Sequence, residues 1–500
     1  MHVPRLLLVL CLVAARSLAA VDSKPPSPPN IVFILGDDIG YGDFGCYGAT
    51  KIKTPHIDRL AQQGVRFTDA HSPSAMCTPT RYAFMTGRYA WRQPAGASVL
   101  SGIAPLCVAP GSATVASILK QAGYATGVVG KWHLGLGEGE TDYNRPIKPG
   151  PLEVGYEYAF ILPATGDRVP CVYVENHNVV GYDPADPIRL DYTARRGEPE
   201  SFVLGIPRIG GMKGGTAALW SDAGMADTFS NKAVEFIEQH KGDPFFLYLA
   251  THDAHVPRVP HARFRGSSQA GVRGDVIQEF DTTVGRVLEA LDRLNLSENT
   301  LVIVTSDNGG VLDSNGPDTV HAGTKETNNG HLQNGVLRGI KGNLFEGGHR
   351  VPFIARWPRQ IKAATVSDQL ICHVDMIATF AAATNQPLSD DAGPDSFNVL
   401  PALVGTAEKP VRDHLINHTA GCPGRLAVRQ GPWKYGPPSY AGGQQRTNKD
   451  GNKAAQIPAQ LYNLADDIGE TKNLVAQYPD KVKELEALLA KLRATPQSRP

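Results

Sequence analysis

Two short strings in this 500-residue chain place nucleophilic and cationic side chains at close spacing. The first, Cys77-Thr78-Pro79-Thr80-Arg81, combines a thiol with a guanidinium that stays charged in proteins. A thiolate can act as a nucleophile or as a metal ligand. The second, Gly130-Lys131-Trp132-His133-Leu134-Gly135, offers an ammonium donor and an imidazole that exchanges protons near neutral pH. Taken alone, the first string is more typical of a buried or bridged cysteine before a helix with Pro79 at its first position.

Two acidic strings predict a site for a hard cation. Asp37-Asp38 and Asp307-Asn308 each follow a short apolar run, and together they offer three carboxylates and an amide oxygen. Oxygen ligands of this kind suit Ca²⁺ or Mg²⁺. Either string alone is typical of a solvated loop, so the prediction depends on the two lying close together.

The elements that must position these residues alternate between strands and helices. Apolar runs predict buried strands over residues 30–35, 65–70, 124–129, 245–250 and 301–305. Amphipathic segments predict helices over residues 55–64, 113–123, 225–240 and 275–294. This alternation predicts an α/β fold with a large mixed, mostly parallel central sheet sandwiched by helices. In such sheets ligands collect at the carboxyl ends of strands. The polar residues that follow these strands are Asp37 and Asp38, Lys131 and His133, His252 and His255, and Asp307 and Asn308.

The composition of the chain changes near residue 411. Strand-like segments flank Gly431-Pro432, which predicts a hairpin, and residues 479–492 predict an amphipathic helix. These features predict a small C-terminal α+β subdomain with a short antiparallel sheet. The predicted organisation is a signal peptide over residues 1–20, a linker over 21–29, a catalytic domain over 30–410 and the C-terminal subdomain over 411–500.

The first twenty residues have the pattern of a secretory signal peptide. Arg5 precedes an apolar run of ten residues that is followed by small residues at 17–20. Such a run is too short for a bilayer span of about 20 residues, and no later stretch predicts a transmembrane segment. We expect an exported protein, periplasmic or secreted, or lysosomal or extracellular in a eukaryote. An oxidising compartment permits one or two disulfides, with their pairing left open.

Charge and composition exclude other classes of function. The chain has 49 Lys and Arg against 49 Asp and Glu, so its formal net charge is zero. This balance argues against a nucleic-acid binder that depends on a basic surplus.

The longer string from Cys77 to Arg88 resembles the signature of the sulfatase family, and the likeness extends over nearly the whole chain after residue 20. Within this formylglycine-dependent family of the alkaline phosphatase superfamily, the pattern is most similar to arylsulfatase A-like members. There, a formylglycine-generating enzyme oxidises the cysteine, and the hydrated aldehyde is the nucleophile. The resemblance implies formylglycine at Cys77 and a bound Ca²⁺, with Mg²⁺ as the alternative. The implied metal ligands are Asp37, Asp38, Cys77, Asp307 and Asn308.

The resemblance also implies roles for individual residues. The implied catalytic residues are Cys77, Arg81, His133 and His255, and the implied substrate-binding residues are Lys131, Lys341, His255 and Thr165. His255 would protonate the leaving alcohol, and His133 would accept a proton as the sulfate leaves. Arg81 would hold positive charge beside the diol or the metal carboxylates. No catalytic role is expected for Tyr41, Asp43, His252 or His349.

The predicted activity is hydrolysis of sulfate monoesters, either of a sulfated carbohydrate or of a small sulfate ester, with aryl sulfates as surrogates. One alternative is a phosphate or phosphonate ester hydrolase of the same superfamily. A second is a non-catalytic protein that binds sulfated glycans and keeps Cys77 unmodified. Long polar loops over residues 176–211 and 311–336 are predicted to contact the glycan. The candidate contacts in these loops are His177, Asn178, His321 and His331.

Overall fold

The structure is a computed structural model that describes residues 28–311, 318–321, 324–326, 328–419, 421, 424–440 and 456–499. The signal peptide and most of the linker predicted from the sequence lie outside these residues, so both stay predictions. Among the described residues, no helix is long and apolar enough to cross a bilayer.

A ten-stranded sheet forms the centre of the described structure. In chain order its strands are β1 (Asn30–Gly36), β2 (Val65–Phe67), β3 (Ala125–Lys131), β4 (Tyr158–Leu162), β5 (Val174–Glu175), β6 (Asn178–Val179), β7 (Phe245–Ala250), β8 (Thr300–Ser306), β9 (Phe353–Arg356) and β10 (Thr365–Ser367). They lie in the order β10-β2-β9-β8-β1-β7-β3-β4-β5-β6. The five central strands, from β8 to β4, are parallel, and antiparallel pairs flank them on both sides. The predicted mixed sheet is therefore confirmed.

Helices cover both faces of this sheet. The described helices are α1 (Pro55–Gln62), α2 (Cys77–Thr86), α3 (Val115–Gln121), α4 (Met225–Gln239), α5 (Gly271–Arg293), α6 (Glu346–His349), α7 (Met376–Ala383), α8 (Leu400–Leu403) and α9 (Pro479–Ala494). In β1, Phe33 and Leu35 join the core under α2, α3 and α7, whereas Val32 and Ile34 join the core under α1, α4 and α5. Because both faces are buried, the strand has no polar side, and its sequence is a continuous apolar run.

Three local features differ from what the sequence alone suggests. Helix α2 begins at Cys77, so Pro79 is its third residue rather than its first. Proline is tolerated there because the first turn needs no intrahelical N–H partner. Residues 176–211 form short strands rather than one irregular loop, since they include β6 and the paired segments Phe202–Val203 and Ile206–Pro207. The five described cysteines are all free, so no disulfide joins any two of them, and a bridge that involves Cys422 lies outside the described residues.

A second, antiparallel sheet lies near the C-terminus, as predicted. Its strands are β11 (His414–His418), β12 (Leu426–Gln430), β13 (Trp433–Gly436) and β14 (Gln460–Asn463). The hairpin at Gly431-Pro432 is confirmed, because Gln430 pairs with Trp433 across it. Leu485 and Leu489 of α9 share one apolar cluster with this sheet. The domain boundary at residue 410 stays a prediction.

The C-terminal sheet contacts the segment that leads into α2. The carbonyl oxygen of His418, at the end of β11, accepts hydrogen bonds from Ala75 N (2.9 Å) and from Ser74 Oγ (2.8 Å). The His418 ring is buried, and its Nε2 lies 3.1 Å from Gly421 O. Burial lowers the pKa of His418 to about 4.

We expect His418 to contribute to acid destabilisation. Its folded pKa lies below the unfolded value of 6.5, so only the unfolded chain takes up a proton as the pH falls below 6.5. The stability present above pH 6.5 is therefore lost between pH 6.5 and about 4, and roughly 2 kcal/mol of it is lost by pH 5. Urea denaturation at pH 7 and pH 5 measures how much unfolding free energy each protein loses over this range. The loss should be smaller for His418→Gln than for the wild type by that amount. Equal losses in both proteins would contradict this assignment.

Candidate active site

The parallel pairing of β1 with β8 brings the two acidic strings together. Gly36 and Ser306 are partners in the ladder, so the chains that follow them leave the sheet side by side. Ligand oxygens of Asp37, Asp38 and Asp307 lie within 4.8 Å of one another, and all three side chains are buried. The backbone N–H of Asp38 donates to Asp307 Oδ1 over 3.4 Å. One buried site therefore holds all three carboxylates.

Three basic side chains balance these carboxylates. The ion pairs are Arg81 with Asp307, Lys131 with Asp37, and Lys341 with Asp38. Arg81 donates to one oxygen of its partner through Nε (3.0 Å) and Nη2 (2.8 Å). Lys341 Nζ lies 2.6 Å from its partner oxygen. Buried charges need such partners, and three cations against three carboxylates leave this cluster neutral overall.

The surroundings of Asp38 and Asp307 shift the pKa values of these two acids in opposite directions. Burial would raise the pKa of Asp38, but Lys341 and the other basic neighbours hold it well below its ordinary value. For Asp307, burial and the nearby charge of Asp37 raise the pKa. A cation bound between these carboxylates would reduce the repulsion between their negative charges.

Two buried oxygens of the cluster fit a metal ion. Asp37 Oδ1 and Asn308 Oδ1 have no hydrogen-bond partner among the described residues. The Asn308 amide nitrogen donates to Asp38 Oδ1 over 2.7 Å, which leaves its oxygen for another ligand. An unsatisfied buried polar atom costs about 1–3 kcal/mol, and metal ligation would remove that cost. Carboxylate and amide oxygens together suit Ca²⁺ or Mg²⁺.

Cys77 lies where the loops of the other site residues meet. It is buried and is the first residue of α2. The carbonyl two residues before it accepts from Gly342 N over 2.8 Å, next to Lys341. The hydroxyl of Thr78 donates to the carbonyl of His133 over 3.1 Å. Cys77 is thus tied to two loops that carry charged residues, at a helix N-terminus that favours an anion.

Two histidines of the site bond backbone carbonyls through one ring nitrogen each. His133 Nε2 lies 3.0 Å from Leu100 O, and His255 Nδ1 lies 2.7 Å from Val256 O. Since a carbonyl only accepts, each of these nitrogens carries a proton. The second ring nitrogen of His133, Nδ1, has no partner among the described residues. The second ring nitrogen of His255, Nε2, lies 3.9 Å from Asp38 Oδ2.

Both rings are neutral at pH 7 in this structure. Burial and the charge of Lys131 hold the pKa of His133 well below its ordinary value. Burial and the charge of Lys341 lower the pKa of His255 to about 3. Each ring therefore presents a lone pair at its free nitrogen.

His252 also lies in the site, although sequence reasoning gives it no role. Its ligand nitrogen is within 4.8 Å of an Asp37 oxygen and a His255 nitrogen, and both its ring nitrogens lack partners among the described residues. A Cβ at Gly166 would lie 2.6 Å from this ring, so glycine permits the close approach. The signal in the sequence was its position after a strand, which it shares with His255.

The predicted sulfate ligand Thr165 bonds within its own loop. Its hydroxyl donates to Asp167 Oδ1 and accepts from Arg168 Nη1 over 2.6 Å. Sequence reasoning missed both partners, although a charged pair that follows a strand of the central sheet is itself a signal. The role of Thr165 toward sulfate stays a prediction.

The expectation that His331 contacts a glycan is wrong. Its Nε2 lies 2.8 Å from Asp43 Oδ1, and the ring is buried. Asp43 is structural, as expected. Among the other candidates, His177 lies 2.9 Å from Glu153, Asn178 is exposed, and the side chain of His321 lies outside the described part of the chain.

Arg273 is a supporting residue that the sequence does not reveal. It donates to both oxygens of Asp43 (2.7 and 2.6 Å) and to the carbonyl of Asp38 over 2.8 Å. Asp38 has a φ of 61°, in the left-handed region that costs a non-glycine residue about 1 kcal/mol or more. An arginine within a long amphipathic helix carries no signal of this contact.

Comparison with known proteins decides the family. The profile of the family described as Sulfatase matches residues 29–386, which is more than half of the chain. The chain belongs to the sulfatase family. This sulfatase is 45% identical to N-acetylgalactosamine-6-O-sulfatase of Bacteroides thetaiotaomicron over 488 residues, with 93% of each chain covered. It is 32% identical to human arylsulfatase A, with 99% of this chain and 92% of that one covered.

The solved structures agree with this family. One, from a study of glycosaminoglycan metabolism by Bacteroides thetaiotaomicron, superposes with a TM-score of 0.86 at 43% identity. The match covers 94% of this chain and 100% of that one. The protein is a sulfuric ester hydrolase, as predicted. The comparisons favour this activity over the phosphate-ester and non-catalytic alternatives.

Proposed function

We propose that this sulfatase removes the 6-O-sulfate of an N-acetylgalactosamine-type sugar in a sulfated glycan, with formylglycine formed from Cys77 and a bound Ca²⁺. The observation that carries the chemistry is the buried cluster in which Cys77 begins α2 beside three carboxylates and three cations. The name of the relative that is 45% identical over 93% of each chain supports the choice of sugar.

The residues present fit both groups that this chemistry requires. Asp37, Asp38, Asp307, Asn308 and the oxidised residue 77 would hold Ca²⁺, with Mg²⁺ as the alternative. When bound, the cation supplies positive charge to the sulfate oxygens. The hydrated formylglycine supplies the attacking hydroxyl.

Lys131 and Lys341 bind the sulfate in this proposal. Each ammonium is already fixed by a carboxylate, Asp37 or Asp38, so little reorganisation is needed when the ester arrives. Arg81 does not need to touch sulfate, because it holds Asp307 and donates through Nη1 to the carbonyl of Lys131 over 2.9 Å. The charged groups are thus oriented before substrate binds.

Two histidines move protons in this proposal. His255 protonates the leaving alcohol oxygen. The negative charge of the bound ester offsets Lys341 and raises the pKa of His255 from its low value in this structure. His133 takes up a proton at Nδ1, the ring nitrogen without a partner among the described residues, as sulfate is released. Thr165 adds a hydroxyl contact to the sulfate.

Maturation requires a further protein in this proposal. A formylglycine-generating enzyme would act on the segment from Cys77 to Arg81 before folding buries it. The protein would then be exported through its N-terminal segment and meet a sulfated carbohydrate outside the cytoplasm.

The proposal predicts both a modification and a substrate preference. In protein made together with a formylglycine-generating enzyme, the tryptic peptide 67–81 should have the mass of the aldehyde rather than the thiol. The same protein should release sulfate from N-acetylgalactosamine 6-sulfate at least about tenfold faster than from the 4-sulfate, since one misplaced contact costs that much. It should hydrolyse 4-nitrophenyl sulfate faster than 4-nitrophenyl phosphate.

Three results would count against it. An intact thiol together with undiminished turnover would exclude the formylglycine nucleophile. Equal rates for the 6-sulfate and the 4-sulfate would exclude the substrate assignment. Faster hydrolysis of the phosphate ester would favour the alternative activity.

A further inference from the structure

The loop of residues 163–168 lies between the segments that carry His133 and His255. The proposed chemistry uses this loop only at Thr165. The carbonyl of Pro163 accepts from the backbone N–H of His133 over 3.0 Å. At Gly166, an added Cβ would lie 2.6 Å from the His252 ring and 3.3 Å from Pro257 Cδ, in the segment that carries His255. Residues 163–168 therefore form one wall of the site, in contact with both histidine segments.

This wall carries a fixed pair of opposite charges. Arg168 Nη1 lies 3.3 Å from Asp167 Oδ1, and Arg196 Nη1 lies 3.6 Å from Asp167 Oδ2. The side chains of Asp167, Arg168 and Arg196 are 7%, 17% and 31% exposed. The polar ends are thus largely enclosed, and the two arginines keep part of their surface exposed to solvent.

The backbone of the wall is held in place by hydrogen bonds from Arg208 and Ile209, which lie behind it. The backbone carbonyl of Asp167 accepts from Ile209 N over 2.7 Å, and the buried guanidinium of Arg208 donates to the carbonyl of Gly166. Burial would raise the pKa of Asp167, but the charges of Arg168 and Arg196 and the hydrogen bond from Thr165 hold it well below its ordinary value, so the carboxylate stays charged. Groups fixed in advance lose little entropy when a ligand binds.

We propose that Asp167 and Arg168 bind ring hydroxyls of the uncharged sugar whose sulfate is removed. A carboxylate accepts hydrogen bonds and a guanidinium donates them, so the pair matches two neighbouring hydroxyls, each of which can do either. The wall lies between the segments of His133 and His255, so a sugar with its ester oxygen at His255 has its ring beside the pair. This inference rests on the proposed function and names the residues that select the sugar.

Two substrates can show whether Asp167 and Arg168 bind the sugar or only hold the catalytic histidines in place. N-acetylgalactosamine 6-sulfate has ring hydroxyls, whereas 4-nitrophenyl sulfate has none. For Asp167→Asn and Arg168→Gln, kcat/KM for the sugar sulfate should fall about 10- to 100-fold. The loss for the aryl sulfate should be at least about tenfold smaller. Arg145→Gln is the matched control, because Arg145 is 82% exposed and its ion pair joins it to Asp142, three positions earlier in the chain.

Binding gives a second readout that does not depend on turnover. Calorimetry with Cys77→Ala protein should show that Asp167→Asn weakens binding of N-acetylgalactosamine 6-sulfate about tenfold or more, and binding of inorganic sulfate far less. Equal losses for both substrates, or for both ligands, would overturn the inference and make the pair a support for the histidines. If wild-type protein turned over neither ester but the sugar-selective binding loss were seen, the proposed function would fail and this assignment would stand.

Discussion

Cys77→Ala should abolish turnover of every sulfate ester and leave the fold intact. Among the described residues, the hydroxyl that follows Cys77 in the chain, that of Thr78, is already used in a hydrogen bond to the carbonyl of His133 and does not replace the lost nucleophile. Loss of a nucleophile in a preorganised site lowers kcat by roughly 10⁵-fold or more. The side chain is small and begins a helix, where alanine is well tolerated, so the unfolding free energy should change by about 1 kcal/mol.

Cys107→Ala is the matched control for this variant. Cys107 is also a buried, free cysteine, but it packs in the apolar core beneath the sheet. It should lose a similar amount of stability and keep its activity within about threefold of wild type. Sulfate release and circular dichroism on the two variants make the comparison. A Cys77→Ala protein that turned over at the wild-type rate would remove Cys77 from the mechanism.

Much of the fold can be predicted from the sequence because it depends on local signals. The strands β1, β7 and β8 are continuous apolar runs, and burial on both faces of a parallel sheet demands such runs. The same parallel order places their polar ends at one edge. From this alone, Asp37 and Asp307 could be expected to meet, although they are 270 positions apart in the chain.

The remaining parts of the site depend on partners that no local pattern reveals. His331 looks like an exposed loop residue in sequence, yet it bonds Asp43, which lies 288 residues earlier. The role of Arg273 in holding Asp38 similarly requires knowing how α5 packs on the sheet. Asp167 and Arg168 follow a strand, but their relation to the histidines arises from the loop's contact with His252.

Asp37→Asn should disable the enzyme by weakening cation binding and releasing Lys131 together. Asparagine keeps the shape of the side chain but removes the charge. Its Oδ1 position has no partner among the described residues, and its Oδ2 position pairs with Lys131. Because changes outside the ligand shell already weaken metal binding 10- to 100-fold, loss of this ligand charge should weaken Ca²⁺ binding about 100-fold or more. We expect kcat/KM to fall about 10³-fold at subsaturating Ca²⁺.

The effect of Ca²⁺ on thermal stability tests this assignment without turnover. A ligand that binds only the folded state stabilises it by about 4 kcal/mol at a thousand times its Kd, so Ca²⁺ should raise the Tm of wild-type protein. Asp37→Asn should lose most of that rise. Asp69→Asn is the control, since Asp69 is also buried and paired with an arginine, Arg429 Nη2 at 2.6 Å, but belongs to a different cluster. It should lower the Tm and keep the rise. If Asp37→Asn kept the full rise, the cation would have to bind through other oxygens, and the three carboxylates would be balanced by Arg81, Lys131 and Lys341 alone.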